Sequence, residues 1–173
     1  MNKILLTVFL LFGYFTPAKN TETKDPDVVY ILPAADLTYK SDDQRIYEAA
    51  RAKGLNKFMS KLLVAQARHE TGNFKSRLFR KHLNAFGMMK RRSDTLAINS
   101  LGRAEGRKGY ATYQNIDDST GAVIQLLKER KCPMNFTSAR QYAKWLKLKG
   151  YYSDKESNYS NALASHLKKI NVV

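Results

Sequence analysis

Three observations predict a mainly α domain (α+β) in which about five helices surround one core and carry a small loop or hairpin lobe. Apolar residues recur at helical spacing in five segments. Residues 84–115 hold four of the nine glycines and no long apolar period. Residues suited to starting and stopping helices stand at the expected boundaries.

Taken in order, Ile46, Ala49 and Ala50 define one face of a first helix that opens at Asp42 and stops at Gly54. A second helix starts at Asn56 or Ser60 and runs to Glu70. Its Phe58, Met59, Leu62, Leu63, Ala65 and Ala67 cover more than half its circumference, so it is expected to be central and buried. Gly72 suits the left-handed turn that follows. Within 84–115, residues 109–113 (Gly-Tyr-Ala-Thr-Tyr) form a strand candidate. Ser119 is the expected cap of a third helix carrying Ala122, Val123, Leu126 and Leu127. Ser138 with Gln141 reads as a capping box for a helix containing Tyr142, Trp145 and Leu146, closed by Gly150. The last helix puts Tyr159, Ala162, Leu163, His166, Leu167 and Ile170 on one stripe.

The 173 residues suffice for one domain, with 43% hydrophobic and 26% charged residues, which excludes general disorder. A formal net charge of +15 points to a polyanionic partner: nucleic acid, an anionic membrane or a bacterial wall. Residues 4–15 are almost wholly apolar, about a dozen where a membrane span needs roughly 20. With Lys3 before them and Ala18 behind, residues 1–18 are expected to be a secretory signal, leaving no stable membrane anchor once cleaved. A short buried helix or an uncleaved anchor is the alternative. Residues 19–41 read as a linker or extended arm, with a possible strand at 28–32, and 42–173 as the folded domain. Cys132 is the lone cysteine, so no internal disulfide forms and a Cys-ligated zinc site is excluded.

Glu70 is the carboxyl group that stands out. It falls on the last turn of an apolar helix, where burial and the negative end of the helix dipole both disfavour its anion. A carboxylic acid that keeps its proton near neutrality is what protonation of a glycosidic oxygen requires. A surface glutamate at a frayed end, neutralised by Lys75 or Arg68, is the plainer alternative.

Motif context bears on that choice. Ala65-Gln66-Ala67-Arg68-His69-Glu70-Thr71-Gly72-Asn73-Phe74 is followed by Asn84-Ala85-Phe86-Gly87-Met88, by Tyr110 to Ser119, and by Gly150-Tyr151-Tyr152-Ser153-Asp154 with Tyr159. This series resembles the glucosaminidase domain, glycoside hydrolase family 73, over nearly all of residues 42–170. The resemblance implies a lysozyme-like helical fold with a glycan groove. It also implies cleavage of β-1,4 bonds in peptidoglycan as an endo-β-N-acetylglucosaminidase, with Glu70 as general acid and no cofactor. It assigns Tyr113, Tyr151 and Tyr159 to the groove, with Asn84 and Phe86 shaping it. Phe74 stands near where the family often has Trp and replaces that wall. Glu105 is the best-placed second carboxylate and Asp94 the other. Inverting, retaining and substrate-assisted routes stay open, as does muramidase specificity.

The remaining candidates carry less. Tyr110, Tyr152 and Trp145 are read as core. His69, His82 and His166 have no metal-ligand spacing, and His69 is read as half-buried on another face of its helix. Basic residues at 77–81, 90–92, 103, 107 and 108 flank the expected groove and suit a wall bearing carboxylates. The expected partner is therefore the peptidoglycan strand, met outside the cytoplasm, in the cell envelope, by a monomer. A wall-binding or virion-associated module with weak or no hydrolysis is the alternative. Nucleic-acid binding is disfavoured, since charge alone suggests it and no recognised binding motif is present.

Overall fold

All but the last of the described helices begin where the sequence offers a side chain to an unpaired backbone amide, while the last has no side-chain cap. Helix α1 (Asp42–Ala52) is opened by the Ser41 hydroxyl, which accepts from the Gln44 amide at 3.2 Å, with Asp42 and Asp43 at the positive end of the helix. Helix α2 (Lys57–Thr71) is opened by Asn56, whose Oδ1 accepts from Met59 N at 2.8 Å. It ends at Gly72, which is left-handed with φ of 58°. The computed structural model describes residues 40–100 and 109–173. The apolar leader over 1–18, nearly all of the arm over 19–41 with its strand at 28–32, and Glu105 lie outside the described residues.

A short helix, α3 (Arg77–His82), follows and was not expected from the sequence. Ser76 caps it by accepting from Phe79 N, and Phe79 alone is buried. Six residues with one apolar anchor leave no period to read. Strands β1 (Asn99–Ser100) and β2 (Ala111–Thr112) pair antiparallel, Asn99 opposite Thr112. On its other side the β2 segment meets residues 88–90, through a Met89–Tyr110 bridge and an Ala111 N to Met88 O bond of 2.8 Å.

Helix α4 (Ile116–Glu129) is capped by Asn115, which accepts from Asp118 N at 2.7 Å. Ser119, the expected cap, lies inside the helix and fully buried, where its hydroxyl accepts from the Ala85 amide at 3.0 Å. Both residue types can cap; the first one in the chain closes the turn, which frees the second to tie α4 to the 84–88 turn. Ser138 caps α5 (Ala139–Leu148) through Gln141 N. In return Gln141 Oε1 accepts from the Thr137 amide at 3.0 Å, one residue further upstream than a capping box has it. Helix α6 (Glu156–Leu167) buries Tyr159 and Leu163, and Ile170 of the expected stripe falls just beyond its end.

The core is centred on α2. Leu62, Leu63, Val64, Ala65, Gln66 and Ala67 are all fully buried, each large aliphatic among them contributing about 1.5–3 kcal/mol. Helices α1 and α6 both pack on α2, α4 packs on α1, and α5 on α6. The result is the α-rich, lysozyme-like arrangement with a small two-stranded sheet. Tyr110, Tyr152 and Trp145 are half-buried rather than core residues. Burial pushes the Cys132 thiol up to about 12, so it stays protonated. No helix among the described residues is long and apolar enough to cross a membrane.

Arg68 joins α2 to α1 by a two-pronged ion pair with Asp43, Nε to Oδ1 at 2.8 Å and Nη2 to Oδ2. The Asp43 side chain is 9% exposed, so removing it strands a cation with little water to replace the partner. Asp43→Ala is expected to lower stability by about 3 kcal/mol, read as a drop in the urea midpoint with an unchanged slope.

Candidate active site

The end of α2 is built to turn sharply while holding Glu70 in place. The Thr71 hydroxyl donates back to Ala67 O at 2.6 Å and accepts from Phe74 N at 2.8 Å, clasping the helix to the turn. Gly72, Asn73 and Phe74 are then left-handed in succession, with φ of 58°, 57° and 63°. That region is costly for Phe and tolerated only when surrounding bonds impose it. Phe74 packs its ring on Phe79, centroids 5.2 Å apart.

A second turn faces the first. Asn84 is fully buried. Its Nδ2 donates to Met88 O (2.8 Å) and Ala111 O (2.9 Å), and its Oδ1 accepts from Met88 N (2.9 Å) and Phe86 N (3.4 Å). One side chain thereby closes the 84–88 turn and fixes it to β2. The turn presents Gly87, left-handed at φ of 60°, to the acid: a carbon in the Cβ position would lie 3.8 Å from Glu70 Oε2.

Against Glu70 and the 84–88 turn lies a cavity of about 360 Å³, lined by Glu70, Phe86, Gly87, Met88 and Met89, with Arg91, Leu126, Arg130, Gly150 and Tyr151 completing it. The Tyr159 hydroxyl donates to Glu70 Oε1 at 2.7 Å. Tyr152 lies flat against Tyr159 at 3.9 Å, and the His69 ring meets Tyr159 edge-on at 4.8 Å. His69 is exposed, not half-buried as expected. Beneath the acid, the Tyr142 hydroxyl donates to Gln66 Oε1 (2.6 Å) and the Tyr151 hydroxyl to Phe86 O (2.8 Å).

Burial raises the Glu70 pKa above its ordinary 4.5, and the Tyr159 hydrogen bond and nearby His69 oppose that rise without cancelling it. Burial, with the Glu70 charge contributing, raises the phenols of Tyr142, Tyr151 and Tyr159. All three are therefore neutral donors at any physiological pH. With Oε1 accepting from Tyr159, a proton on Glu70 belongs on Oε2, the oxygen beside Gly87.

Of the residues singled out from sequence, Glu70, Phe86 and Tyr151 line the cavity and Tyr159 reaches it through Glu70. Tyr113 does not line it. It is 3% exposed, with its hydroxyl donating to Asp94 Oδ2 at 2.9 Å. Asp94 is likewise withdrawn: it is 4% exposed, and its other oxygen accepts from Leu96 N and Ala97 N. Tyr113 and Asp94 thus saturate each other inside the hairpin lobe. Phe74 and Asn84 are not among the lining residues; Asn84 acts behind it, as the fastening of the 84–88 turn. The cavity's Met88, Met89, Arg91, Leu126 and Arg130 were not picked out individually. Arg91 stood within the basic run 90–92 and Arg130 was not named, and no local pattern separates a lining cation from a solvated one. Among the described residues no three His, Cys, Asp or Glu gather as a metal site.

The fold and its cavity define an α-rich, lysozyme-like class of domain. Within that class the chain belongs to the glucosaminidase family: the family model Glucosaminidase, described as mannosyl-glycoprotein endo-beta-N-acetylglucosaminidase, matches residues 44–172. No curated protein matches the chain. Among solved structures it is similar to a type VI secretion system effector–immunity complex from Pseudomonas protegens. That match is at 14% identity and a TM-score of 0.54, covering 78% of this chain and 97% of the other. At that identity the likeness is one of fold.

Two outcomes follow from the electrostatics. Because the folded pKa of Glu70 is raised, ionising it costs stability as pH rises from about 4.5 through the folded value. Glu70→Gln is therefore expected to have the higher Tm at pH 8, with the advantage fading towards pH 4, in paired thermal melts. Tyr159→Phe removes a bond that lowers the Glu70 pKa. The ionisation of Glu70, followed by carboxyl-region infrared difference spectra, is expected to move to higher pH in that variant.

Proposed function

We propose that the protein is an exported peptidoglycan hydrolase that cleaves β-1,4 glycosidic bonds as an endo-β-N-acetylglucosaminidase, with Glu70 as general acid. The observation that carries this reading is the arrangement of the acid itself. A carboxyl with a raised pKa lines a cavity, one oxygen occupied by Tyr159 and the other directed at the Gly87 turn. Family membership supports the reaction class.

In this reading a sugar chain lies along the cavity with its scissile oxygen near Glu70 Oε2. The acid gives its proton to that oxygen as the C1–O bond breaks, and positive charge grows on the anomeric carbon. Tyr159 then stabilises the new carboxylate through the bond it already makes, so the acid need not reorganise as its charge changes. Gly87 leaves room for the glycosidic oxygen to approach where a side chain would intervene.

Among the described residues Glu70 is the one carboxyl that lines the cavity, and Asp94 is engaged elsewhere. The second group in this reading is Glu105, from the segment between β1 and β2, acting as base or electrostatic partner. The substrate's own acetamido oxygen is the other source of a nucleophile. Export rests on the leader over 1–18, and cleavage after Ala18 would make Lys19 the first residue found by N-terminal sequencing of protein recovered from the cell envelope.

Glu70→Gln is expected to reduce clearing of purified sacculi by about 10²–10⁴-fold. Equal clearing by the two proteins would remove Glu70 from the mechanism and leave the non-hydrolytic wall-binding module as the better reading. Mass spectrometry of reduced digests is expected to find N-acetylglucosamine at the new reducing end. Glu105→Gln separates the two sources of the second group: a loss approaching that of Glu70→Gln supports the carboxylate, and near-full activity supports the acetamido route.

A further inference from the structure

We propose that Arg91 and Arg130 form an anion subsite at one end of the Glu70 cavity, which receives a carboxylate of the glycan strand and selects muramoyl-bearing chains over uncharged chitin-type ones. This inference rests on the hydrolase reading and adds to it the feature of the substrate that is recognised.

Arg91, Leu126 and Arg130 line both the Glu70 cavity and an adjoining open trough of about 620 Å³, which continues past Arg92, Ser93 and Glu129. The two spaces therefore adjoin at these three side chains, which puts the arginines next to a strand seated at Glu70. Arg91 is held rigidly. It pairs with Glu129, its Nη2 donates to Ala122 O at 3.3 Å, and its side chain is 17% exposed. Its Nε is buried and has no acceptor among the described residues. Arg130 is fixed by one prong, Nη1 to Lys149 O at 2.6 Å, and no carboxylate among the described residues pairs with it. Three arginines thus meet one carboxylate among the described residues of this trough, and two positive charges are left over.

A half-buried guanidinium with unused donors is most readily satisfied by an anion, and its planar fork fits a carboxylate on two prongs. Strands of N-acetylglucosamine alone carry no anion. Peptidoglycan bears a lactyl ether on alternate sugars, whose carboxyl is free on a stripped strand and otherwise amide-linked to a peptide with carboxylates of its own. Either source offers the same group to Arg91 and Arg130. The α4 turn brings both guanidiniums to one wall, so the spacing between acid and anion site is set by rigid structure.

The test measures binding in the Glu70→Gln background, so that it needs no turnover and stands apart from the fate of the hydrolase reading. Affinities for peptide-bearing strands, amidase-stripped strands and a chitin oligosaccharide are compared with and without Arg130→Gln. The expected result is at least a tenfold loss on charged strands and under twofold on the chitin oligosaccharide, with Arg130→Lys recovering part of it. Loss confined to stripped strands identifies the lactyl carboxylate, loss confined to peptide-bearing strands identifies the peptide, and loss on both shows that the subsite takes either carboxylate. Lys168→Gln, which removes one exposed cation from the end of α6, is expected to change none of the three. An equal loss on the uncharged ligand, an equal loss in the Lys168 variant, no loss at all, or no preference for charged strands before mutation would each overturn the proposal.

Discussion

The bond from the Tyr159 hydroxyl to Glu70 Oε1 is the contact on which the rest of this site depends. It spans α6 and α2, two elements 89 residues apart in the chain, and it settles which oxygen of the acid faces outward. Without it, a buried carboxyl would turn to find whatever donor was nearest. The phenol must itself stay neutral to serve, and burial ensures that. Much of the helical core is thus arranged around one donor and one acceptor, with the Tyr142–Gln66 and Tyr151–Phe86 bonds forming a dry floor below them.

The opposite wall follows a different logic. It is made of turns, and turns need fastening. Asn84 does this from full burial, using both ends of its amide, while Ser119 anchors the same turn to α4 through the Ala85 amide. The helical half therefore fixes the acid and the hairpin half fixes the surface it faces. Neither half makes a cavity alone, which accounts for motifs so widely scattered along the chain.

What could be read from the sequence follows from the range of the forces involved. Glu70 at an apolar helix end, Gly72 behind it and Ser138 at the start of α5 are local matters, decided within four residues. Helix α3 escaped because a six-residue helix with one buried anchor has no period. The family resemblance assigns Tyr113 to the groove, and a phenol looks the same in sequence whether its hydroxyl meets a sugar or Asp94. That choice was made by the folding of the hairpin lobe, and a tyrosine buried to 3% exposure had to find a partner indoors. Arg91 and Arg130 escaped for a related reason: the side chains that surround a cation, not its neighbours in sequence, distinguish a lining residue from a solvated one.

The parallel stack of Tyr152 on Tyr159 extends the reach of this arrangement. Tyr152 touches neither the acid nor the cavity lining, and its own hydroxyl is tied to Ala143 O on α5 at 2.9 Å. Its ring nonetheless sets the tilt of the phenol that holds Glu70. The proton affinity of Glu70 can therefore be retuned from the α5–α6 connection, at a position outside the cavity lining.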